Sequence, residues 1–168
     1  PDIRSTPLPA WHLLRMKDYA TMAVQYSRGC PFNCEFCDII VMNGRVPRTK
    51  SPGQMLAEFE ALYKAGWRGG VFVVDDNFIG NKHEVKEMLP KLIEWQRERR
   101  YPFQFLTEAS TNLAEDEELM RLMSEANFHK VFLGIETPEE ESLRECGKYQ
   151  NTHRDLAESV RIIQGNGM

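Results

Sequence analysis

The sequence predicts an α/β fold built on a parallel sheet, and three observations carry that prediction. Strand-like runs alternate with amphipathic helical stretches along the chain, at about 30–45 residues per unit, as in successive βα units. The run Val71-Phe72-Val73-Val74 is apolar throughout, as in a strand buried on both faces of a parallel sheet. Several helical stretches open on a capping signal rather than trailing out of a loop. Crossovers between parallel strands are right-handed, which gives a succession of right-handed βα units.

The elements follow in order. Residues 1–17 are proline-rich and aperiodic, and read as a linker or lead-in to a domain over 18–168. Residues 20–26 form the first expected strand. Ser51, Pro52 and Gln54 supply an N-cap, an N1 proline and a capping-box partner for a helix with Met55, Phe59, Leu62 and Tyr63 on one face and Gly66 as its stop. After the apolar strand, Asn81 and Glu84 open a helix carrying Val85, Met88, Leu89, Leu92 and Ile93. Pro90 within it predicts a kink or a later start. A third strand is expected at 103–106, a third helix on Leu119, Leu122, Met123 and Ala126, and a fourth strand at 131–135. Thr137-Pro138 with Glu140 opens a short helix, and Thr152 opens the last one, with Leu156, Val160 and Ile163 inward and Gly165 as its stop.

Composition excludes several classes. Apolar residues make up 42% of the 168 and charged residues 27%, ordinary values for a folded domain. No stretch approaches the apolar length of a transmembrane helix. A net charge of −4 argues against a nucleic-acid-binding surface, so no nucleic-acid partner is expected. Four cysteines are too few for a disulfide scaffold, and the expectation is a reducing, cytoplasmic compartment.

Three of those cysteines fall in Cys30-Pro31-Phe32-Asn33-Cys34-Glu35-Phe36-Cys37, a C-x3-C-x2-C triplet. Chance alone would give that spacing with a probability of about two in a thousand at this composition. Thiolates select zinc or iron–sulfur clusters. Only three ligands are local, because Cys146 lies over a hundred residues away in a predicted helix, where it reads as a small buried apolar residue. A cluster held by three cysteines keeps one iron open for chemistry. The competing reading is a zinc knuckle completed by a histidine such as His129, although no histidine has knuckle spacing from the triplet. His12, His83, His129 and His153 share no ligand spacing and read as surface or capping residues. Arg97-Glu98-Arg99-Arg100 reads as a helix C-terminus complementing its dipole.

The loop Ser27-Arg28-Gly29-Cys30-Pro31-Phe32-Asn33-Cys34-Glu35-Phe36-Cys37-Asp38 resembles the cluster-binding loop of the radical S-adenosylmethionine superfamily, including the aromatic Phe36 before the last cysteine. Val74-Asp75-Asp76-Asn77-Phe78, Thr107-Glu108-Ala109-Ser110 and Gly134-Ile135-Glu136-Thr137-Pro138 follow later strands. In that order they resemble the branch whose members carry cobalamin-binding domains, hopanoid-type methylases among them. The resemblance implies a partial (βα) barrel, with about four units of about six present here. It also implies that Cys30, Cys34 and Cys37 hold a 4Fe-4S cluster whose fourth iron chelates S-adenosylmethionine. Reductive cleavage would then give a 5′-deoxyadenosyl radical for methylation or another modification of an unactivated carbon.

By the same resemblance, Phe36 lies near the adenine and Asp75 and Asp76 stand where the family places a Gly-Gly-Glu stretch against the methionyl amino group. Glu108 and Glu136 sit at strand ends, where ligand-facing side chains gather. Each is a candidate for the cofactor's polar groups, or for pairing with a neighbouring Arg or Lys. Cobalamin, where used, would be bound by a domain outside this chain. The expected partners are a small-molecule or lipid substrate and a low-potential electron donor. The alternative is a non-catalytic zinc or iron–sulfur module, or a truncated fragment of such an enzyme. Four parallel strands cannot close a barrel, so the chain is expected to be a piece of a longer protein whose last strand presents an open edge for self-association.

Overall fold

The computed structural model describes residues 2–168; Pro1, first residue of the expected lead-in, lies outside them. The elements run β1 (Met22–Val24), β2 (Ser27–Arg28), α1 (Ile39–Asn43), β3 (Arg48–Thr49), α2 (Pro52–Lys64), β4 (Gly69–Val73), α3 (Lys82–Glu98), β5 (Phe103–Ala109), α4 (Glu117–Glu125), β6 (Phe128–Leu133), α5 (Glu140–Glu145) and α6 (Leu156–Gly165). β1, β4, β5 and β6 form one parallel sheet in that order, and β2 and β3 pair antiparallel as a separate ribbon. Sequential order with helical crossovers is the beginning of a (βα) barrel, unclosed at four strands.

Each strand buries one face against the helices. Val71 and Val73 of β4 and Phe103 and Phe105 of β5 are buried. Phe59 of α2 meets both phenylalanines, and Trp95 of α3 stacks on Phe103. Phe128 continues the line beside Phe105 at 5.0 Å between ring centroids. The other face is thinly covered: Phe72 and Leu106 are half-buried, and Phe132 is 70% exposed. The run 71–74 therefore corrects the expectation of a strand covered on both sides. In an unclosed arc, alternate residues face a lumen with nothing opposite.

The helix signals of α2 and α3 hold in detail. Ser51 Oγ accepts from Gln54 N while Gln54 Oε1 accepts from Ser51 N, the reciprocal capping box, and Gly66 follows the helix at φ +95°. Asn81 caps α3 through Glu84 N. α3 continues through Pro90, which lies on the solvent side, where water can serve the carbonyl a proline leaves unpaired. At its C-terminus Arg99 Nη1 donates to Trp95 O and Arg99 Nε to Glu60.

Other boundaries move, each because a side chain captures backbone groups. β1 is three residues rather than seven, because Asp75 takes the N–H groups of Tyr26 and Ser27. β6 begins three residues early, entered by Asn127 at φ +75°, whose Nδ2 donates to Phe103 O at 2.7 Å, and its register with β5 shifts by one after Phe128. It stops at Leu133 because Asn151 Nδ2 donates to the carbonyls of Gly134 and Ile135. Thr137 turns back onto Glu139 N, so α5 starts at Glu140. Thr152 closes the preceding turn, and Asp155 caps α6 through Glu158 N at 2.7 Å. Cys146 is half-buried at the end of α5, not a core residue, and His129 is half-buried with Nδ1 enclosed and unpaired.

The lead-in is docked: Ile3 and Trp11 are buried, and Arg4 Nε donates to Thr49 O. Among the described residues no helix is long and apolar enough to cross a membrane.

Candidate active site

The cysteine loop leaves the sheet under the grip of two consecutive carboxylates. Asp75, 1% exposed, accepts from Tyr26 N at 2.7 Å through Oδ1, and from Ser27 N at 2.8 Å and Ser27 Oγ at 2.6 Å through Oδ2. Burial pushes its pKa up to about 6, against the pull of those donors. Asp76 Oδ2 accepts from Gly29 N at 2.9 Å and Asn43 Nδ2 at 3.0 Å. Gly29 has φ +104°, and a Cβ there would meet Gly44 O at 2.9 Å, so this position needs a glycine twice over.

The far side of the loop is clamped by the segment after α5. Glu35 N donates to Cys146 O at 2.8 Å. A Cβ on Gly147, at φ +70°, would lie 2.9 Å from Asn33 O. The 3-10 turn Tyr149–Asn151 then presents Gln150, whose Nε2 lies 3.4 Å from Cys34 Sγ.

These contacts place Cys30, Cys34 and Cys37 on one cavity of about 210 Å³, outside the C-terminal ends of β4, β5 and β6. Phe36, Asp76, Glu108 and Glu136 line it as well, together with Asn77, Ser110, Gly134, Lys148 and Gln150. Asp75 does not: its oxygens serve the backbone behind the loop. Glu108, on β5, carries a pKa raised by burial and by Asp76 across the cavity. Glu136, at φ +64°, pairs with Lys148 Nζ at 2.6 Å, and that ammonium stands 5.5 Å from the Phe36 ring centroid. Gly134 leaves room for the pair, since a Cβ there would approach Lys148 Nζ to 2.8 Å.

Asn77, buried between β4 and β5, donates to Ser110 Oγ at 3.1 Å and accepts from Ser110 N. Its Nδ2 is 4.0 Å from Cys30 Sγ. No local pattern in the sequence marks Lys148 or Gln150 as cavity residues. Gly147 beside them was the one local sign that the chain there approaches another backbone closely.

The residues fit an iron–sulfur cluster. The donor set is soft, and buried amides face two of its three sulfurs. Among the described residues no group of three or more His, Cys, Asp or Glu converges on one metal-ion position, as a zinc knuckle requires. The three cysteines line the wall of one cavity.

Comparison with known proteins agrees. The Radical SAM superfamily family matches residues 24–168. The chain is 60% identical over its whole length to the uncharacterized methyltransferase sll1242 of Synechocystis sp., covering 31% of that protein. It is 41% identical over 99% of its length to the hopanoid C-2 methylase of Rhodopseudomonas palustris, covering 32% of it. It thus spans about a third of these relatives. Among solved structures, the radical S-adenosylmethionine methyltransferase TsrM of Kitasatospora setae, with cobalamin and a [4Fe-4S] cluster bound, superposes with a TM-score of 0.78 at 17% identity, over 94% of this chain and 31% of that one. The cobalamin-dependent radical enzyme OxsB gives 0.72 at 21% identity, over 88% and 22%. Cysteine triplet, parallel half-barrel and a matched span of residues 24–168 converge: this chain belongs to the radical S-adenosylmethionine superfamily.

Proposed function

We propose that the chain is the catalytic core segment of a radical S-adenosylmethionine methyltransferase, holding a 4Fe-4S cluster on Cys30, Cys34 and Cys37. The observation that carries this reading is the convergence of the three thiols with Phe36, Asp76, Glu108, Glu136 and Lys148 on one cavity at the strand ends. When loaded, the cluster supplies one low-potential electron for cleavage of the sulfonium carbon–sulfur bond.

The chain's own residues bind and orient. Glu108, without a hydrogen-bond partner among the described residues, offers its carboxylate to ribose hydroxyls. Asp76 lends negative charge to the side where an ammonium would sit. Lys148 and Glu136 offer a cation and an anion to the amino-acid end of a zwitterionic ligand, and Phe36 borders the adenine. The methyl acceptor is an unactivated carbon of a small molecule or lipid, a reading supported by the hopanoid methylase relative. Cobalamin, which one neighbouring structure holds and another depends on, would come from a domain outside these residues. A low-potential electron donor and a reducing, cytoplasmic setting complete the reading.

The test is anaerobic reconstitution with iron and sulfide, reduction, and assay of 5′-deoxyadenosine. We expect the cluster in wild type and in Cys146→Ala and in none of Cys30→Ala, Cys34→Ala or Cys37→Ala, with 5′-deoxyadenosine formed by the full-length protein that carries these residues. Tight zinc binding with no cluster would overturn the reading in favour of a zinc module.

A further inference from the structure

The geometry points to Gln150 as the residue that tunes the cluster's reduction potential, through an N–H···S hydrogen bond to Cys34. The inference rests on the cluster reading above. Cys34 is 9% exposed, and Gln150 is 8% exposed with its Nε2 3.4 Å from that sulfur. The opposite amide orientation would set a carbonyl oxygen against a thiolate, so the donor is the end that faces it.

The turn that carries Gln150 is anchored through its backbone and through Asn151. Thr111 Oγ1 donates to Asn151 Oδ1 at 2.8 Å, with Gln150 O 3.3 Å from the same hydroxyl, and Asn151 is anchored in turn on the carbonyls of Gly134 and Ile135. Gly147, against Asn33 O, fixes the spacing between this turn and the cysteine loop. Asn77 faces Cys30 from the other side at 4.0 Å, too far for a comparable bond, so the strong donor is on Cys34 alone of these two. A donor on a ligand sulfur stabilises the reduced form, which carries one more negative charge, and raises the potential. Burial strengthens the effect, because little water competes for the sulfur.

The variant is Gln150→Met, of matching length and without a donor. Reconstituted wild type, Gln150→Met and Gln150→His would be titrated by electron paramagnetic resonance without S-adenosylmethionine, with iron content and circular dichroism measured on each. Gln150→Met should hold full iron and make reduction about tenfold less favourable, a fall of about 59 mV for one electron. Gln150→His, which keeps a ring N–H, should fall by less. Glu94→Ala, exposed on α3 away from the cavity, should match wild type. An unchanged potential in an iron-replete Gln150→Met protein would overturn this inference alone. Loss of the cluster in both Gln150 variants would assign the residue to the scaffold and overturn it too. A wild-type protein that takes up no cluster would sink the parent reading with it.

Discussion

Asp75→Asn should destabilise the protein because it reverses one hydrogen-bond polarity in a fully buried place. The asparagine carbonyl can keep the bond from Tyr26 N at 2.7 Å. Its Nδ2 end then faces Ser27 N and Ser27 Oγ, which donate at 2.8 and 2.6 Å to the native carboxylate. The hydroxyl can turn and accept, but the amide cannot. One buried N–H is left unsatisfied, at a cost of about 1–3 kcal/mol. With a urea slope of about 2 kcal/mol per molar, the midpoint should fall by about 0.5–1.5 M. Trp11, Trp67 and Trp95 are all buried and report the transition by fluorescence.

The same carboxyl sets a pH dependence. Its folded pKa of about 6 lies above the ordinary 3.8, so between those values the native state holds a proton that the unfolded state has lost. Stability from this group is therefore full below about pH 4 and falls as pH rises through about 6, by at most about 3 kcal/mol. Asparagine has no such dependence, so the gap between wild type and Asp75→Asn should be wider at about pH 4.5 than at about pH 7.5. An Asp75→Asn protein within about 0.5 kcal/mol of wild type, or a gap independent of pH, would refute the reasoning.

Two further outcomes follow. Gly29→Ala should lower cluster occupancy far more than it lowers helix content, because its φ of +104° and the 2.9 Å approach to Gly44 O both forbid a Cβ; iron analysis beside circular dichroism checks it. Glu108→Gln should weaken S-adenosylmethionine binding about 10–100-fold while sparing iron content, as for orienting groups at comparable sites, measured by anaerobic calorimetry; equal affinity would reduce Glu108 to a structural residue.

What the sequence disclosed is what local spacing can encode. The cysteine triplet spans eight residues and the capping box of α2 four, so both were readable without the fold. The residues around the cavity were partly legible, since Asp76, Glu108 and Glu136 each follow a strand-like run. The contacts of Asp75 were not, because nothing local tells which of two adjacent aspartates turns toward the ligand and which toward the backbone of Tyr26 and Ser27. Gln150 and Lys148 were invisible for the same reason: the glutamine meets a sulfur 116 residues away. The β2–β3 ribbon has two residues per strand, too few to carry a period.

Held from two sides, the cysteine loop is largely shaped before it carries anything. Asp75 and Asp76, following β4, fix residues 26, 27 and 29. Cys146 O and Gly147, at the end of α5, fix residues 33 and 35. Segments far apart in sequence therefore meet on one loop, and β4, β5 and β6 position the segments that hold it. This couples sheet integrity to the site: a destabilised sheet edge at β6 releases the segment carrying Glu136, Lys148 and Gln150, and with it one wall of the cavity. β6 is an edge of the sheet among the described residues, so that wall of the cavity rests on the β5 pairing alone.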